Sequence, residues 1–342
     1  MISVGFPILL DLSFTDVDRE GFKLDEKKTT RIQGSLLDEA VLEKGLKKCS
    51  VCFHIAAYGM SGPAALDAKG VFQINVQGTI LVLTVCARLH CRRVVFASSV
   101  GVIFTDQPLN MADEDTPRHE QYYSYYSESK ADAEQFLLKA NGQVLNTVAL
   151  RLRGIFGPGE PRTTTRAAEA IAEGLYFAKF EKTPPVMTQF SGVDNSARAM
   201  YLAAKGLFER PEVVGGKVYH IVDGGDPVDT WEFWNPLVDA LGRERPSWSI
   251  PYKLVHHSLI PPSFNRLEIN LAAITNTYSI ERARKDLGYD PKNNHDLTEV
   301  CEYYKKKFAA NPPVFRDYKK IIFYTLSIFV AFLVVILSWF IL

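Results

Sequence analysis

A tyrosine and a lysine four positions apart, with two serines upstream, carry the most chemically informative pattern in this chain. Tyr126 and Lys130 would lie on one face of a helix, one turn from each other. An ammonium in that position can lower the pKa of the tyrosine hydroxyl from about 10. Ser98 and Ser99 end an apolar stretch, where a hydroxyl can hold a substrate oxygen while the tyrosine passes a proton. The pattern predicts redox chemistry between an alcohol and a ketone on a nicotinamide cofactor.

The elements that would position these residues follow an alternation of strands and helices. Short apolar strands are predicted to end at Asp11, at Ala56 and Ala57, and at Ser99, with another strand at 147–152. Such alternation predicts a parallel, doubly wound α/β sheet, whose ligands bind at the carboxyl ends of the strands. An acid at the end of the first strand can bind the ribose hydroxyls of NAD and repel a 2′-phosphate. The sequence therefore predicts one NAD cleft at this edge of the sheet.

Composition excludes several other classes of function. The chain has 39 Lys and Arg residues against 39 Asp and Glu residues, so no overall basic field favours nucleic acid. Its five cysteines are odd in number and lie mostly in apolar runs, which favours free thiols in a reducing compartment. Cys49 and Cys52 have the spacing of half a metal site, but no second Cys or His pair lies nearby. No metal site is predicted.

The end of the chain is apolar enough to span a membrane. Ile321–Leu342 contains no charged residue, and as a helix it would cross the ~30 Å hydrocarbon layer of a bilayer. Lys319 and Lys320 precede it, which by the positive-inside rule keeps the preceding chain in the cytosol. We expect a single-pass tail anchor, in the endoplasmic reticulum rather than in the mitochondrial outer membrane.

The chain divides into four predicted parts. Beyond Pro158 the regular alternation loosens, and the apolar stretch Leu254–Leu271 would either line a sterol pocket or form ordinary core. The parts are a cofactor domain (1–160), mainly a substrate lid with segments returning to the sheet (161–308), a linker (309–320) and the anchor (321–342).

These features together resemble the extended short-chain dehydrogenase/reductase superfamily. Within it, the chain is similar to the 3β-hydroxysteroid dehydrogenase group, particularly subfamily 42E, over most of its length. The segments that carry the resemblance are Phe53–Gly62, Asn75–Thr79, Ser98–Ser99, Tyr126–Lys130, Leu150–Arg151, Gly154–Glu160, Val193–Asn195 and Tyr278–Tyr289.

The resemblance implies a role for each site residue. Tyr126 would be the proton acceptor, and Lys130 would lower its pKa and bind a ribose of the cofactor. Ser99, rather than Ser98, would orient the substrate oxygen. The remaining cofactor contacts implied by the resemblance are Asp11 at the adenosine ribose, Ala56 and Ala57 near the phosphates and ribose, and Asn75 bracing the helix behind the site. The implied partners are a lipophilic sterol or steroid, the lipid bilayer and a second copy of the chain.

One departure from the family is large. The family begins with a strand, a G-x-x-G-x-x-G turn and a helix, which together hold the cofactor pyrophosphate. This sequence contains no G-x-x-G-x-x-G, since Gly59–Gly62 is a two-glycine fragment only. The missing strand would lie between the Asp11 strand and the strand that begins near Val51. We expect an incomplete gene model or an alternative start rather than an enzyme that evolved without this element.

Three functions remain open at this point. The first is NAD-dependent oxidation of a sterol or steroid 3β-hydroxyl, alone or followed by isomerisation. The second is a nucleotide-sugar epimerase or another reductase of the superfamily, in which Arg162, Arg166 and Arg266 would bind a diphosphate. The third is a catalytically silent isoform that acts as a binding protein, which the missing glycine turn favours.

Overall fold

The computed structural model describes residues 6–14, 25–257, 265–325 and 327. Strands and helices alternate along most of this length, in agreement with the predicted α/β class. The strands are β1 (Ile8–Asp11), β2 (Thr30–Gln33), β3 (Cys52–His54), β4 (Arg93–Ser99), β5 (Leu109–Ala112), β6 (Asn146–Leu152), β7 (Ile155–Phe156), β8 (Ala178–Lys179), β9 (Met187–Thr188), β10 (Ser191–Gly192), β11 (Lys217–Ile221), β12 (Val228–Asp229), β13 (Trp248–Ser249) and β14 (Asn276–Tyr278). The helices are α1 (Glu39–Leu46), α2 (Ala68–Phe72), α3 (Gly78–Arg88), α4 (Tyr125–Lys139), α5 (Thr164–Glu173), α6 (Val193–Glu209), α7 (Pro211–Val214), α8 (Asn235–Ala240), α9 (Tyr252–His257), α10 (Arg266–Ala273), α11 (Glu281–Leu287) and α12 (Thr298–Ala310).

The main sheet has the strand order β11-β6-β4-β3, and every neighbouring pair in it is parallel. Successive side chains of a strand point to opposite faces, so β4 contributes to two cores. Val94 and Phe96 pack with α1, α3 and the far end of α4, whereas Val95 and Ala97 pack with α6 and α11. Helices therefore cover both faces of a parallel sheet, which confirms the predicted doubly wound arrangement.

The first two strands form a separate ladder. β1 pairs in parallel with β2, and Leu10 packs against the core beneath α1. Among the described strands, β1 pairs with β2 alone and β3 pairs with β4 alone. The edges of β1 and β3 are thus both without a described strand partner, at the position where the sequence predicts a missing strand.

A smaller mixed sheet lies outside the main one. Its strand order is β12-β9-β14-β5, and the pairs β7–β10 and β8–β13 accompany it. An aromatic core supports this region, with Phe190 stacked on Phe233 at 4.0 Å between ring centres. β14 follows α10 directly, so this sheet positions the helix that faces the tyrosine site.

The membrane prediction concerns residues that lie largely outside the described chain. Residues 318–325 are helical, but 326 and 328–342, most of the predicted anchor, are not described. Of the residues that are described, a single helical stretch, 68–88, has the length and apolar composition to cross a membrane. Half of that stretch is buried within the protein, where it packs against α4. This internal helix is only weak support for membrane association.

Candidate active site

Helix α4 carries the predicted tyrosine and lysine. It begins after Ser124, whose hydroxyl accepts a hydrogen bond from the Tyr126 N–H at 3.2 Å, a common N-cap arrangement. Tyr126 and Lys130 follow within the first two turns and are both buried, with exposed fractions of 7% and 2%. The helix and the shared face are as the spacing predicts.

The Lys130 ammonium is anchored on strand β4. Its Nζ donates a hydrogen bond to the Ala97 carbonyl oxygen at 2.5 Å and lies 4.1 Å from the centre of the Phe96 ring. Burial, and then the Arg162 charge, lower the pKa of Lys130 to about 7, while the Glu134 carboxylate opposes this shift. The lysine is therefore fixed at the carboxyl end of β4, where Arg162 disfavours its positive charge and Glu134 favours it.

The Tyr126 hydroxyl does not show the predicted shift. Burial raises its pKa, while the Arg162 charge and the Ser99 hydroxyl, within hydrogen-bonding reach, lower it. The net direction is upward, and the Lys130 ammonium is held by a backbone carbonyl instead. The predicted downward shift of the Tyr126 pKa is therefore wrong in direction for this structure, because desolvation outweighs the nearby charges.

The two serines point in different directions. Ser99 faces Tyr126, and its Oγ accepts a hydrogen bond from the Gly101 N–H at 3.1 Å. Ser98 donates instead to Glu134 Oε2 at 2.5 Å. Adjacent residues of a strand alternate between its faces, which explains the difference. The structure brings Ser99, and not Ser98, to the tyrosine.

A buried carboxylate behind the lysine was not anticipated from the sequence. Glu134 has no exposed surface and lies one helical turn after Lys130. Arg151 of β6 donates to both of its oxygens, at 3.1 and 2.8 Å, and Arg118 donates at 2.7 Å. With the bond from Ser98, this network ties α4 to β4 and β6. Two features of the sequence indicate this network: Glu134 follows Lys130 by four residues, and Arg151 lies inside an apolar strand.

Asn75 braces the back of the site. It lies in a π-helical turn, Gln73–Gln77, between α2 and α3. Its side chain exchanges two hydrogen bonds with the Tyr58 backbone, at 2.8 and 2.9 Å, and its Nδ2 donates to Ser129 Oγ at 2.9 Å. These bonds connect the loop after β3 to the residue before Lys130.

The other expected cofactor residues stand at strand ends. Asp11 ends β1 and is exposed, and its carboxylate accepts only a weak bond from the Ser13 N–H at 3.4 Å. Ala56 is exposed, and Ala57 is half-buried and packs in the cluster around Tyr126. The structure thus joins Ala57 to the tyrosine site, whereas Asp11 lies on the separate β1–β2 ladder.

An apolar wall surrounds the tyrosine. Tyr126 packs with Phe104, and with Leu267 and Ile274 from α10 and the residue after it. Leu271 and Tyr252 lie at the margin of the same cluster. Leu267 and Leu271 belong to the predicted stretch Leu254–Leu271, and Tyr252 lies just before it. Residues 258–264 of this stretch are not described. Its described part therefore contributes to the wall beside Tyr126.

Among the three arginines considered for a diphosphate, Arg162 reaches the site, and Arg266 begins α10. Its guanidinium donates to the Ala57 carbonyl oxygen at 3.1 Å, and its charge lowers the pKa of both Tyr126 and Lys130. Arg166 is paired with Glu268.

One buried histidine, His54, lies near the lysine. His54 is buried, bonds to Thr79 Oγ1 at 2.8 Å, and has its pKa lowered to about 3 by burial and then by Lys130. All five cysteines are free. In the described ranges, no group of three or more His, Cys, Asp or Glu residues is arranged to hold a metal ion.

Fold and site together define a doubly wound α/β protein with a serine, a tyrosine and a lysine grouped at the carboxyl end of a central strand. A profile of the 3-beta hydroxysteroid dehydrogenase/isomerase family matches residues 9–252, and the chain belongs to this family.

Comparisons with individual proteins agree with this assignment. The chain is 31% identical to 3beta-hydroxysteroid dehydrogenase/Delta(5)-Delta(4) isomerase 1 of Caenorhabditis elegans, over 95% of this chain and 74% of that protein. It is 34% identical to short-chain dehydrogenase/reductase family 42E member 1 of Homo sapiens, over 90% of this chain and 84% of that protein. Among solved structures, UDP-glucuronic acid 4-epimerase from Bacillus cereus in complex with NAD superposes with a TM-score of 0.64, at 15% identity, over 88% of this chain and 90% of that one. At that identity the likeness shows a shared fold.

Proposed function

We propose that this protein is an NAD-dependent oxidoreductase that oxidises the 3β-hydroxyl of a sterol or steroid, alone or with a following isomerisation. The observation that carries the proposal is the grouping of Ser99, Tyr126 and Lys130 inside an apolar wall. Membership of the 3-beta hydroxysteroid dehydrogenase/isomerase family and the relatives named above support the same reaction.

The proton chemistry follows from the positions of the side chains. The Ser99 hydroxyl would hold the substrate oxygen, and Tyr126 would take the hydroxyl proton. Tyr126 can accept that proton only as a phenolate, and the positive charges of Arg162 and Lys130 would stabilise this anion until the proton neutralises it. The apolar wall around Tyr126 would bind the body of a sterol and exclude water from the reacting atoms.

NAD fits part of this cleft. The exposed Asp11 carboxylate at a strand end suits the adenosine ribose, and the small side chains of Ala56 and Ala57 allow close approach of the cofactor. Lys130 would hold the nicotinamide ribose, with Asn75 keeping helix α4 in place. When bound, NAD supplies the acceptor for the hydride that leaves the carbinol carbon. The described residues include no glycine turn for the pyrophosphate.

The test is an assay of the full chain in membranes or detergent with NAD and a 3β-hydroxysteroid, followed by NADH absorbance. Tyr126→Phe and Ser99→Ala should each reduce kcat by about 10²-fold or more, in the range typical of lost acid–base catalysis. The matched control is Tyr125→Phe, which changes the exposed neighbour on the same helix. Absence of NADH formation by the unaltered chain, with NAD bound, would contradict the proposal.

Two observations favour the alternatives. The fold is shared with an NAD-bound epimerase, and Arg162 reaches the cleft, as a diphosphate-binding arginine of a nucleotide-sugar epimerase would. Turnover of a UDP-sugar without steroid oxidation would establish this alternative. The third function, a catalytically silent binding protein, would show no NAD binding in a calorimetric titration.

The proposal extends to the organisation and location of the chain. We divide it into a cofactor domain (1–160), mainly a lid (161–308), a linker (309–320) and a tail anchor (321–342). The anchor would sit in the endoplasmic reticulum with the catalytic domain in the cytosol, where a lipophilic substrate partitions into the bilayer. Carbonate extraction with protease protection tests the anchor, and light scattering in detergent tests a homodimer.

A further inference from the structure

Arg162 occupies an unusual place between the two sides of the cleft. It lies in the loop between β7 and α5, and its Nη2 donates to the Ala57 carbonyl oxygen just beyond β3. Ala57 belongs to the apolar cluster that contains Tyr126. The guanidinium therefore spans from the lid side of the chain to the strand ends, beside the group that would transfer the proton.

The nearest acid in sequence does not neutralise this arginine. Both oxygens of Glu160 accept backbone hydrogen bonds at the start of α5, from the N–H groups of Arg162 at 2.8 Å, Thr163 at 2.7 Å and Thr164 at 2.8 Å. Over the part of the chain that the structure describes, no ion pair is formed by the Arg162 guanidinium. Its charge is thus available to a ligand in the cleft.

Several other arginines form ion pairs, whereas the buried Arg153 donates to neutral oxygens. Arg151 and Arg118 share the carboxylate of Glu134, and Arg166, one helical turn after Arg162, pairs with Glu268. The contrast matters because a second cation close to the buried Lys130 raises the energy of the charged lysine. An anionic group bound between the two cations would relieve that repulsion.

We infer that Arg162 is an anion-binding residue at the reaction centre, and that it binds a carboxylate or phosphate oxygen of a molecule in the cleft. A guanidinium suits this task because its planar N–H groups match carboxylate and phosphate oxygens in pairs. The anion has two sources. It belongs either to the substrate, as a carboxylate next to the carbinol carbon, or to the cofactor, as a phosphate. The inference rests on the proposed function for the identity of these ligands.

The experiment measures binding and turnover separately. Arg162→Gln and Arg162→Lys are compared with the unaltered chain by calorimetric titration of NAD and of a 3β-hydroxysteroid that carries a carboxylate beside the hydroxyl. Kinetics are recorded for that steroid and for its analogue without the carboxylate. The matched control is Arg92→Gln, because Arg92 is exposed just before β4, at the opposite edge of the sheet.

Each source of the anion gives its own result. If the substrate supplies it, Arg162→Gln weakens binding of the carboxylate-bearing steroid by about tenfold or more and leaves the analogue and NAD within about twofold. If the cofactor supplies it, NAD binding weakens by about tenfold or more, and the two steroids change equally. Arg162→Lys should restore part of the loss, since it keeps the charge but not the paired geometry.

Two results would overturn the inference. One is unchanged binding of all three ligands in Arg162→Gln with a shifted pH profile, which would mean that Arg162 acts on Tyr126 alone. The other is the absence of binding of both NAD and the carboxylate-bearing steroid to the unaltered chain. A failure of the proposed function alone would give a different result. Ligand binding would still depend on Arg162, but neither the unaltered chain nor any variant would turn over a steroid.

Discussion

Removal of the charge on Glu134 tests how the site is held together. Glu134 is fully buried, and the Arg151 side chain that donates to both of its oxygens is only 3% exposed. Glu134→Gln keeps the shape but leaves the Arg151 charge buried without a counter-ion. Breaking one partner of a buried ion pair typically costs about 3–5 kcal/mol of unfolding free energy. The more exposed Arg118 can rearrange into water, so we expect a loss near the lower end of that range.

The same substitution should change the pH profile of turnover. The Glu134 carboxylate opposes the lowering of the Lys130 pKa, which burial and Arg162 bring to about 7. Without this carboxylate the Lys130 pKa falls further, and the lysine loses its proton at a lower pH. If the charged lysine assists Tyr126, the alkaline limb of kcat/KM moves to lower pH in Glu134→Gln.

Denaturant unfolding and a pH–rate series measure the two effects. Glu134→Asp, which keeps the charge, should recover much of the pH profile, and Glu128→Gln on the same helix is the matched control. The reasoning would be refuted by an unfolding free energy within about 0.5 kcal/mol of the unaltered chain together with an unmoved alkaline limb.

Three further substitutions probe neighbouring features. The Lys130 pKa is about 7 in the folded chain and 10.5 in the unfolded chain, so the unfolded chain binds more protons between pH 7 and pH 10 and the unfolding free energy rises with pH. Lys130→Met removes this contribution, so its unfolding free energy should rise less over the same range. Denaturation at a series of pH values measures the difference in slope, which is at most about 1.4 kcal/mol per pH unit. Gly101→Ala places a Cβ 2.7 Å from Ser127 Oγ and 3.3 Å from Ser99 Oγ, so kcat should fall and the unfolding free energy drop by about 1–3 kcal/mol; unchanged kinetics would contradict this. Asn75→Ala leaves buried backbone groups unpaired and should cost about 1–3 kcal/mol, with hydrogen exchange fastest in α4.

The regular part of the fold could be predicted from sequence because it is encoded locally. The strand with Ser99 contains a run of apolar residues, and the helix with Tyr126 begins at a serine cap. The carboxyl-end rule for parallel sheets places Ala57 and Ser99 on one edge from the sequence alone.

The parts of the site that escaped prediction depend on contacts distant in sequence. Glu134 is 17 residues from Arg151 and 36 from Ser98, and no local pattern indicates that they meet. The pKa of Tyr126 was predicted in the wrong direction because burial could not be weighed against charge from spacing alone. Arg162 was considered with two other arginines, and only the fold distinguishes the one that crosses to Ala57.

The separate β1–β2 ladder has a consequence for the dynamics of the protein. Two short strands without a described partner on the β3 side pack Leu10 and Ile32 beneath α1, and a two-stranded ladder alone is marginally stable. Their amides should therefore exchange with solvent by local opening, well before those of β4 and β6. A dinucleotide that touched both Asp11 and Lys130 would join the ladder to the main sheet, so cofactor binding should appear as slowed hydrogen exchange at Ile8–Asp11 and Thr30–Gln33.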